Sequence, residues 1–171
     1  MSIRDEQPGD ERAIHDLTRV AFQEMAYSSR TEHLIVDALR SAGALVLSLV
    51  GIMAEEVAGH VAFSRVELAE ATGKWYLLGP VSVLPAQQRR GIGSALIRTG
   101  LERLASLGAT GCVLAGNPRL YNRFGFIADP SITLEGVPPD VWLTLRFVPS
   151  GDRGAARLHP AFAVSRDEPL I

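Results

Sequence analysis

Residues 88–94 read Gln-Arg-Arg-Gly-Ile-Gly-Ser, a turn with two glycines one residue apart, after the Val-rich stretch 81–83 and before a run with helical spacing. Glycines at a helix start let the backbone come close to a ligand. The first amides of a helix have no acceptor inside it, so they point at whatever lies beyond the helix end. That is chemistry for an oxyanion, phosphate above all. Arg89 and Arg90 add charge that can meet phosphate oxygens, and Gln88 adds an amide donor.

A glycine turn alone does not say which anion. The phosphate loop of nucleoside triphosphatases needs Gly-Lys-Ser/Thr, and here Gly91 is followed by Ile92-Gly93-Ser94 with no lysine. A dinucleotide fingerprint wants a third Gly or Ala where Leu96 stands, and a hairpin upstream does not suit a doubly wound parallel sheet. Both readings are disfavoured. Metal chemistry is not indicated either, because His15, His33, His60 and His159 form no ligand spacing with Cys112 or with each other. His60, on an expected strand, reads as a core or surface histidine. Cys112 lies in the apolar stretch 111–115 with no histidine near it in sequence, a poor nucleophile.

The elements that must position this turn are legible from periodicity. A short strand at 2–6 precedes Pro8, placed where a first helical residue is favoured, and Ala13, Ile14, Leu17, Val20 and Ala21 recur at helical spacing. A second helix carries Leu34, Ile35, Ala38 and Leu39 on one face and stops at Gly43. Apolar 44–52 and alternating 57–68 read as a hairpin about Glu55 and Glu56, and 75–84 as a third antiparallel strand. The turn then opens a helix with Leu96, Ile97, Leu101, Leu104 and Leu107 on one side, ended by Gly108. A right-handed crossover makes the strand 111–115 parallel to its predecessor. Asn117 caps a brief helix with Pro118 first, Gly125-Phe126 restarts extended chain, and 141–148 is a late strand after Pro138-Pro139. The last twenty or so residues read as coil or an edge segment.

At 171 residues and 47% apolar, the chain is the size of one domain with one core. Its 17 basic residues against 19 acidic ones exclude a global attraction to nucleic acid or an anionic membrane, so any anion site is local. With one cysteine no intrachain disulfide forms. No run approaches the roughly eighteen apolar residues of a spanning helix, and a cytoplasmic setting fits best.

Gln88-x-x-Gly91-x-Gly93, preceded by Val81-x-Val83-x-Pro85, resembles the acyl-CoA-binding motif of the GNAT superfamily of N-acetyltransferases. Tyr121-Asn122-Arg123-Phe124-Gly125-Phe126 resembles that family's second signature, Tyr-x-x-x-Gly-Phe, and the order of elements is similar. The resemblance covers most of the chain. It implies a single-domain α/β (α+β) fold with a mixed, mostly antiparallel central sheet flanked by helices. Residues 1–150 would form the acyl-CoA N-acyltransferase domain, and 151–171 a C-terminal tail or edge segment of the same domain.

By that resemblance Val81, Ser82 and Val83 pair with the pantetheine arm through their backbone, and Arg89 to Ser94, including Arg90, Gly91, Ile92 and Gly93, hold the pyrophosphate together with Gln88. The Val83 amide polarises the carbonyl as an oxyanion donor. Tyr121 donates a proton or hydrogen bond to the leaving thiolate. The family's asparagine lies farther ahead of the tyrosine than Asn117 does, so Asn117 is read as a helix N-cap and as a contact of the pantetheine arm. Glu32 resembles in position an acid of small bacterial members and is the candidate base, with Glu24 close by.

The reaction implied is direct transfer of an acetyl (acyl) group from acetyl-CoA to a primary amine, without a covalent enzyme intermediate or a metal. The acceptor is a small-molecule or peptide amine. In this fold its pocket is built by the segment between the first two helices, here 22–31 with Phe22, Met25 and Tyr27, and by late strands, with Trp142 the candidate. Two other classes are weighed. An acyl-CoA-binding sensor or partner-binding module would keep the CoA site and show no turnover. A nucleic-acid binder using Arg89, Arg90 and Arg98 fails on overall charge. A homodimer is preferred, with 141–148 or the tail through Phe162 supplying an edge.

Overall fold

The turn and the helix it opens are held by two glycines in neighbouring strands. A Cβ on Gly51 or Gly59 would stand 2.9 or 2.7 Å from Ile92 Cγ2, so only bare backbone lets the first turn of that helix settle onto the sheet. The structure, a computed structural model, describes residues 1–164. They form two compact units: Met1–Ser64, Gly79–Gly100 and the segment from Pro160, and Arg65–Leu78 with Leu101–His159.

In chain order the elements are β1 (Ser2–Asp5), α1 (Glu11–Phe22), α2 (Glu32–Ser41), β2 (Leu45–Met53), β3 (Glu56–Glu70), β4 (Trp75–Val83), α3 (Ile92–Ser106), β5 (Gly111–Ala115), α4 (Pro118–Tyr121), β6 (Ile127–Ala128), β7 (Ile132–Thr133), β8 (Trp142–Arg146) and β9 (Arg153–Arg157). The architecture is mixed α/β with a mostly antiparallel sheet, as expected.

In the first unit β1 runs antiparallel to β2, from Ser2 opposite Ile52 to Asp5 opposite Leu49, and β2 runs antiparallel to β3. The β2–β3 turn is two residues, Ala54 and Glu55, both at positive φ, which matches the twist of the flanking strands. The helical periodicity has its consequence here: α1 buries Ile14, Leu17 and Thr18, and α2 buries Ile35, Val36 and Leu39. Ile14, Val36 and Val50 form one core cluster, and Ile35, Leu39 and Ala161 another, against which Phe162 packs.

In the second unit β5 lies parallel to β4, with Trp75 opposite Gly111, and antiparallel to β8. Its loop before β4 is fixed by one carboxylate. Asp152 accepts from Thr72 N, Thr72 Oγ1, Gly73 N and Trp75 Nε1 at 2.9–3.2 Å, and these bonds, the Thr72 amide foremost, pull its pKa down to about 2.

Three local expectations are corrected. Pro8 is not the first helical residue: the turn in which Asp10 N donates to Gln7 O precedes the helix, which starts at Glu11. The strand over 141–148 is shorter and not an open edge, because β8 pairs with β5 on one side and with Ile127 and Ala128 of β6 on the other. The tail contains a strand, β9, paired with Glu67, Leu68 and Glu70 of β3 and with β7, which the sequence did not show. Its last residues, 165–171, lie outside the described residues.

Candidate active site

The C-terminal end of β4 presents its residues alternately. Ser82 is buried and its Oγ lies 3.0 Å from Thr18 Oγ1 of α1, which anchors the strand end, while Val81 and Val83 face the other way, half-buried. Ser82 is therefore placed to contribute backbone only. Gln88 reaches back and donates through Nε2 to Val83 O at 3.2 Å, and Arg90 donates to Gln87 Oε1 at 3.1 Å, so the turn is tied to the strand end and to itself.

The glycines of the turn differ in what they do. Gly91 is at φ +83 with nothing within 4 Å of a Cβ, and Arg89 is at φ +63, so the chain coils left-handed into the helix. Gly93 needs no positive φ, and a Cβ there would meet only the Val83 side chain at 3.5 Å, an ordinary contact. Neither the fold nor the packing requires a glycine at that position. The first backbone bond of α3 runs from Ala95 N to Gly91 O, so the amides of Ile92, Gly93 and Ser94 lie ahead of the helical ladder. Ile92 is buried, which makes its amide, not its side chain, the group that a ligand could meet. Amides at a helix start beside an open glycine backbone suit the oxygens of a pyrophosphate.

Tyr121 belongs to the second unit. Its ring lies 6.2 Å from Phe126, edge-on, and 6.3 Å from Phe124, and a Cβ on Gly116 would stand 2.5 Å from its Cε2. Burial raises the phenol's pKa above its usual value, keeping it a donor at neutral pH. Asn117, exposed in the same unit, accepts from Arg119 N at 3.0 Å, the expected N-cap, which commits its Oδ1.

Glu32 opens α2. Its Oε1 accepts from Ser28 Oγ at 2.6 Å, and its Oε2 is buried without a hydrogen-bond partner among the described residues. A carboxylate oxygen withdrawn from water with no donor is costly, and an incoming amine would satisfy it. The same Ser28 Oγ accepts from Arg30 N at 2.8 Å and so holds Arg30 at φ +61, a conformation that costs roughly 1–2 kcal/mol for a side-chain-bearing residue. The Ser28-x-x-x-Glu32 spacing is the sequence signal for this pair. Of the other acceptor candidates, Phe22 is half-buried, Met25 and Tyr27 are exposed, Glu24 is exposed, and Trp142 is buried in β8 of the second unit.

The discounted groups are structural. Cys112 is fully buried and its thiol is pushed far up by desolvation, which removes it as a nucleophile. His60 is fully buried beside Ser48, whose hydroxyl donates to Glu6. That leaves His60 Nε2–H to donate to Ser48 Oγ at 2.8 Å. Desolvation first and the Arg40 charge second press its pKa down to about 3, so it stays neutral. Among the described residues no group of His, Cys, Asp or Glu could hold a metal ion, and no helix is long and apolar enough to cross a membrane.

The chain belongs to the GNAT family of acetyltransferases: the profile of the acetyltransferase (GNAT) family matches residues 11–126, which span α1 to the end of the Tyr-x-x-x-Gly-Phe segment. Its relatives agree. It is 36% identical over 127 residues to YhbS of Escherichia coli strain K12, described as an uncharacterized N-acetyltransferase, covering 74% of this chain and 73% of YhbS. The crystal structure of a GNAT family acetyltransferase from Brucella melitensis in complex with acetyl-CoA superposes with a TM-score of 0.83 at 46% identity, covering 94% of this chain and 97% of that one. The crystal structure of Escherichia coli YhbS in complex with CoA superposes with a TM-score of 0.87 at 29% identity, covering 95% and 92%.

Proposed function

We propose that this acetyltransferase takes its acetyl group from acetyl-CoA and passes it to a primary amine by direct attack in a ternary complex. The observation that carries the reading is the turn ahead of α3, where Gly93 is a glycine that neither backbone conformation nor packing demands. Pyrophosphate oxygens at the amides of 91–94 would explain it, and Arg89, Arg90 and Gln88 surround the same turn. The complexes of the Brucella melitensis and Escherichia coli relatives with acetyl-CoA and CoA support the choice of donor.

The roles follow from the chemistry. A neutral amine nitrogen attacks the thioester carbonyl, and the Val83 amide donates to the oxygen that becomes negative. The C–N bond forms, the C–S bond breaks, and Tyr121 donates to the departing sulfur. Glu32 Oε2 takes the proton that the nitrogen loses. Val81, Ser82 and Asn117 hold the pantetheine arm. Residues 1–150 constitute the acyl-CoA N-acyltransferase domain with 151–171 as its tail, the enzyme works in the cytoplasm, and it forms a homodimer.

Incubating the protein with acetyl-CoA and a panel of primary amines tests the reading. Release of CoA thiol matched by N-acetylated product supports it. Acetyl-CoA binding with no product from any amine would make the protein a CoA-binding sensor instead.

A further inference from the structure

The turn leading into α2 carries three hydroxyls, and they divide between two tasks. Ser29 Oγ and Thr31 Oγ1 lie 2.6 Å apart and bond each other, so Thr31, the residue ahead of the helix, caps none of its amides through the side chain. Ser28 bonds elsewhere. Its Oγ accepts from Arg30 N at 2.8 Å and stands 2.6 Å from Glu32 Oε1. A backbone amide only donates, and a hydroxyl carries one proton. The direction of both bonds is therefore fixed: Arg30 N–H donates to Ser28 Oγ, and Ser28 O–H donates to the carboxylate.

A serine ahead of a helix ordinarily accepts from helical amides. Ser28 instead accepts from a loop amide and gives its proton to a side chain, and the consequence falls on Glu32. The last torsion of a glutamate is soft and roughly two-fold, so an unbound carboxylate exchanges its two oxygens freely. A short bond to an ionised oxygen is among the stronger ones, and the amide donating into Ser28 Oγ strengthens that hydroxyl as a donor. Oε1 is thereby committed. Oε2, buried and without a hydrogen-bond partner among the described residues, is the oxygen held open.

Resting on the reading above in which Glu32 takes the amine's proton, we infer that Ser28 is a positioning residue for the transfer. Its hydroxyl, locked by the Arg30 backbone amide, holds the Glu32 carboxylate so that Oε2 meets the acceptor nitrogen. The nitrogen's proton goes to Oε2, and Ser28 keeps its own. A hydroxyl that merely held the turn would act whether or not Glu32 could take a proton. A hydroxyl that acts through Glu32 loses its effect when that carboxylate is gone.

The experiment is a double-mutant cycle on wild type, Ser28→Ala, Glu32→Gln and the double variant, with urea midpoints alongside. Rates are measured at saturating acetyl-CoA with the fastest acceptor among propylamine, putrescine, β-alanine and glycylglycine. Ser28→Ala is expected to lower kcat about tenfold, the order of one lost hydrogen bond to a charged group, with KM for acetyl-CoA within about threefold. In the Glu32→Gln background the same substitution should change kcat by less than about twofold. Ser28→Thr and Ser28→Val are alike in shape and differ in the hydroxyl, so they decide the matter even if Ser28→Ala is unstable. The Thr variant should keep most of the turnover, and the Val variant should show the tenfold loss. Given a fall in Glu32→Gln, three results overturn the inference and leave the role of Glu32 standing: wild-type kcat in Ser28→Ala or Ser28→Val, equal losses in Ser28→Thr and Ser28→Val, or the same loss from Ser28→Ala with and without the Glu32 carboxylate. An unchanged kcat in Glu32→Gln strikes the role of Glu32 and the inference with it. Absence of transfer to all four amines strikes the acetyl-transfer reading as well.

Discussion

Gln88 Nε2 donates a 3.2 Å hydrogen bond to the carbonyl oxygen of Val83, so the residue opening the glycine motif is fastened to the strand end whose amide is assigned to the reacting carbonyl. The glycine turn and the strand end are thereby tied together. A displacement of either is felt by the other.

The support beneath this unit can be probed at Gly59. A methyl there would stand 2.7 Å from Ile92 Cγ2 and 3.3 Å from Ser82 O, and backbone on one side leaves little room to relax. Gly59→Ala is expected to cost about 1–3 kcal/mol in urea denaturation and to weaken acetyl-CoA binding, because it pushes the start of α3 outward. Unchanged stability and affinity would show that α3 is not seated as described.

The role proposed for Glu32 predicts an effect on turnover. Glu32→Gln retains the Ser28 bond and cannot accept a proton, so kcat is expected to fall by about 100-fold, with acetyl-CoA affinity unchanged. Steady-state rates across alkaline pH should recover part of the loss as more of the amine becomes neutral. An unaltered kcat would make Glu32 a bystander.

For Tyr121 the hydroxyl is separable from the ring, which packs on Phe124 and Phe126. Tyr121→Phe keeps the packing and is expected to lower kcat by about 10–100-fold while the acetyl-CoA dissociation constant stays within a factor of about 3. Burial raises the phenol's pKa above its ordinary value, so no loss of activity from this group is expected as pH rises from neutral into the mildly alkaline range. Turnover equal to that of the wild type would remove Tyr121 from the chemistry.

Acid stability follows from two buried groups. His60 titrates near 3 when folded and near about 6.5 when unfolded, so protons favour the unfolded chain, and its contribution, full above about 6.5, is lost as pH falls toward 3. Asp152, at about 2 when folded against about 3.9 unfolded, adds stability that is lost only below about 4. Urea midpoints should be flat above pH 7 and decline between 6.5 and 4, and His60→Gln should flatten that decline. An identical slope in the variant would contradict the assignment.

Much of the fold is legible in the sequence, for a physical reason. Periodic apolar runs and terminal glycines report local conformation. The helices around Ile14, Ile35 and Leu96, the Asn117 cap and the Gly43 and Gly108 stops were therefore legible. What escaped depended on partners distant in sequence. The strand 153–157, Arg-Gly-Ala-Ala-Arg, has little apolar pattern and forms by backbone pairing with β3 and β7, with Arg153 and Arg157 opposite Glu70 and Glu67 of β3. The hold of Asp152 on Thr72, Gly73 and Trp75 is likewise non-local. At the site the glycine turn is legible from its residues, whereas the burial of Glu32 Oε2 without a hydrogen-bond partner among the described residues depends on packing that the sequence does not display.

Calorimetric titration of acetyl-CoA into the wild type and into Gly93→Ala tests the central claim most directly. The substitution places a methyl at ordinary distance from Val83 in a helical position, so the variant should be at least as thermostable as the wild type, by up to about 1 kcal/mol. If the turn cradles the pyrophosphate, the wild type binds acetyl-CoA at one site per chain and the variant binds it at least about tenfold more weakly. Absence of binding to the folded wild type, or equal affinity in both proteins, would contradict the account.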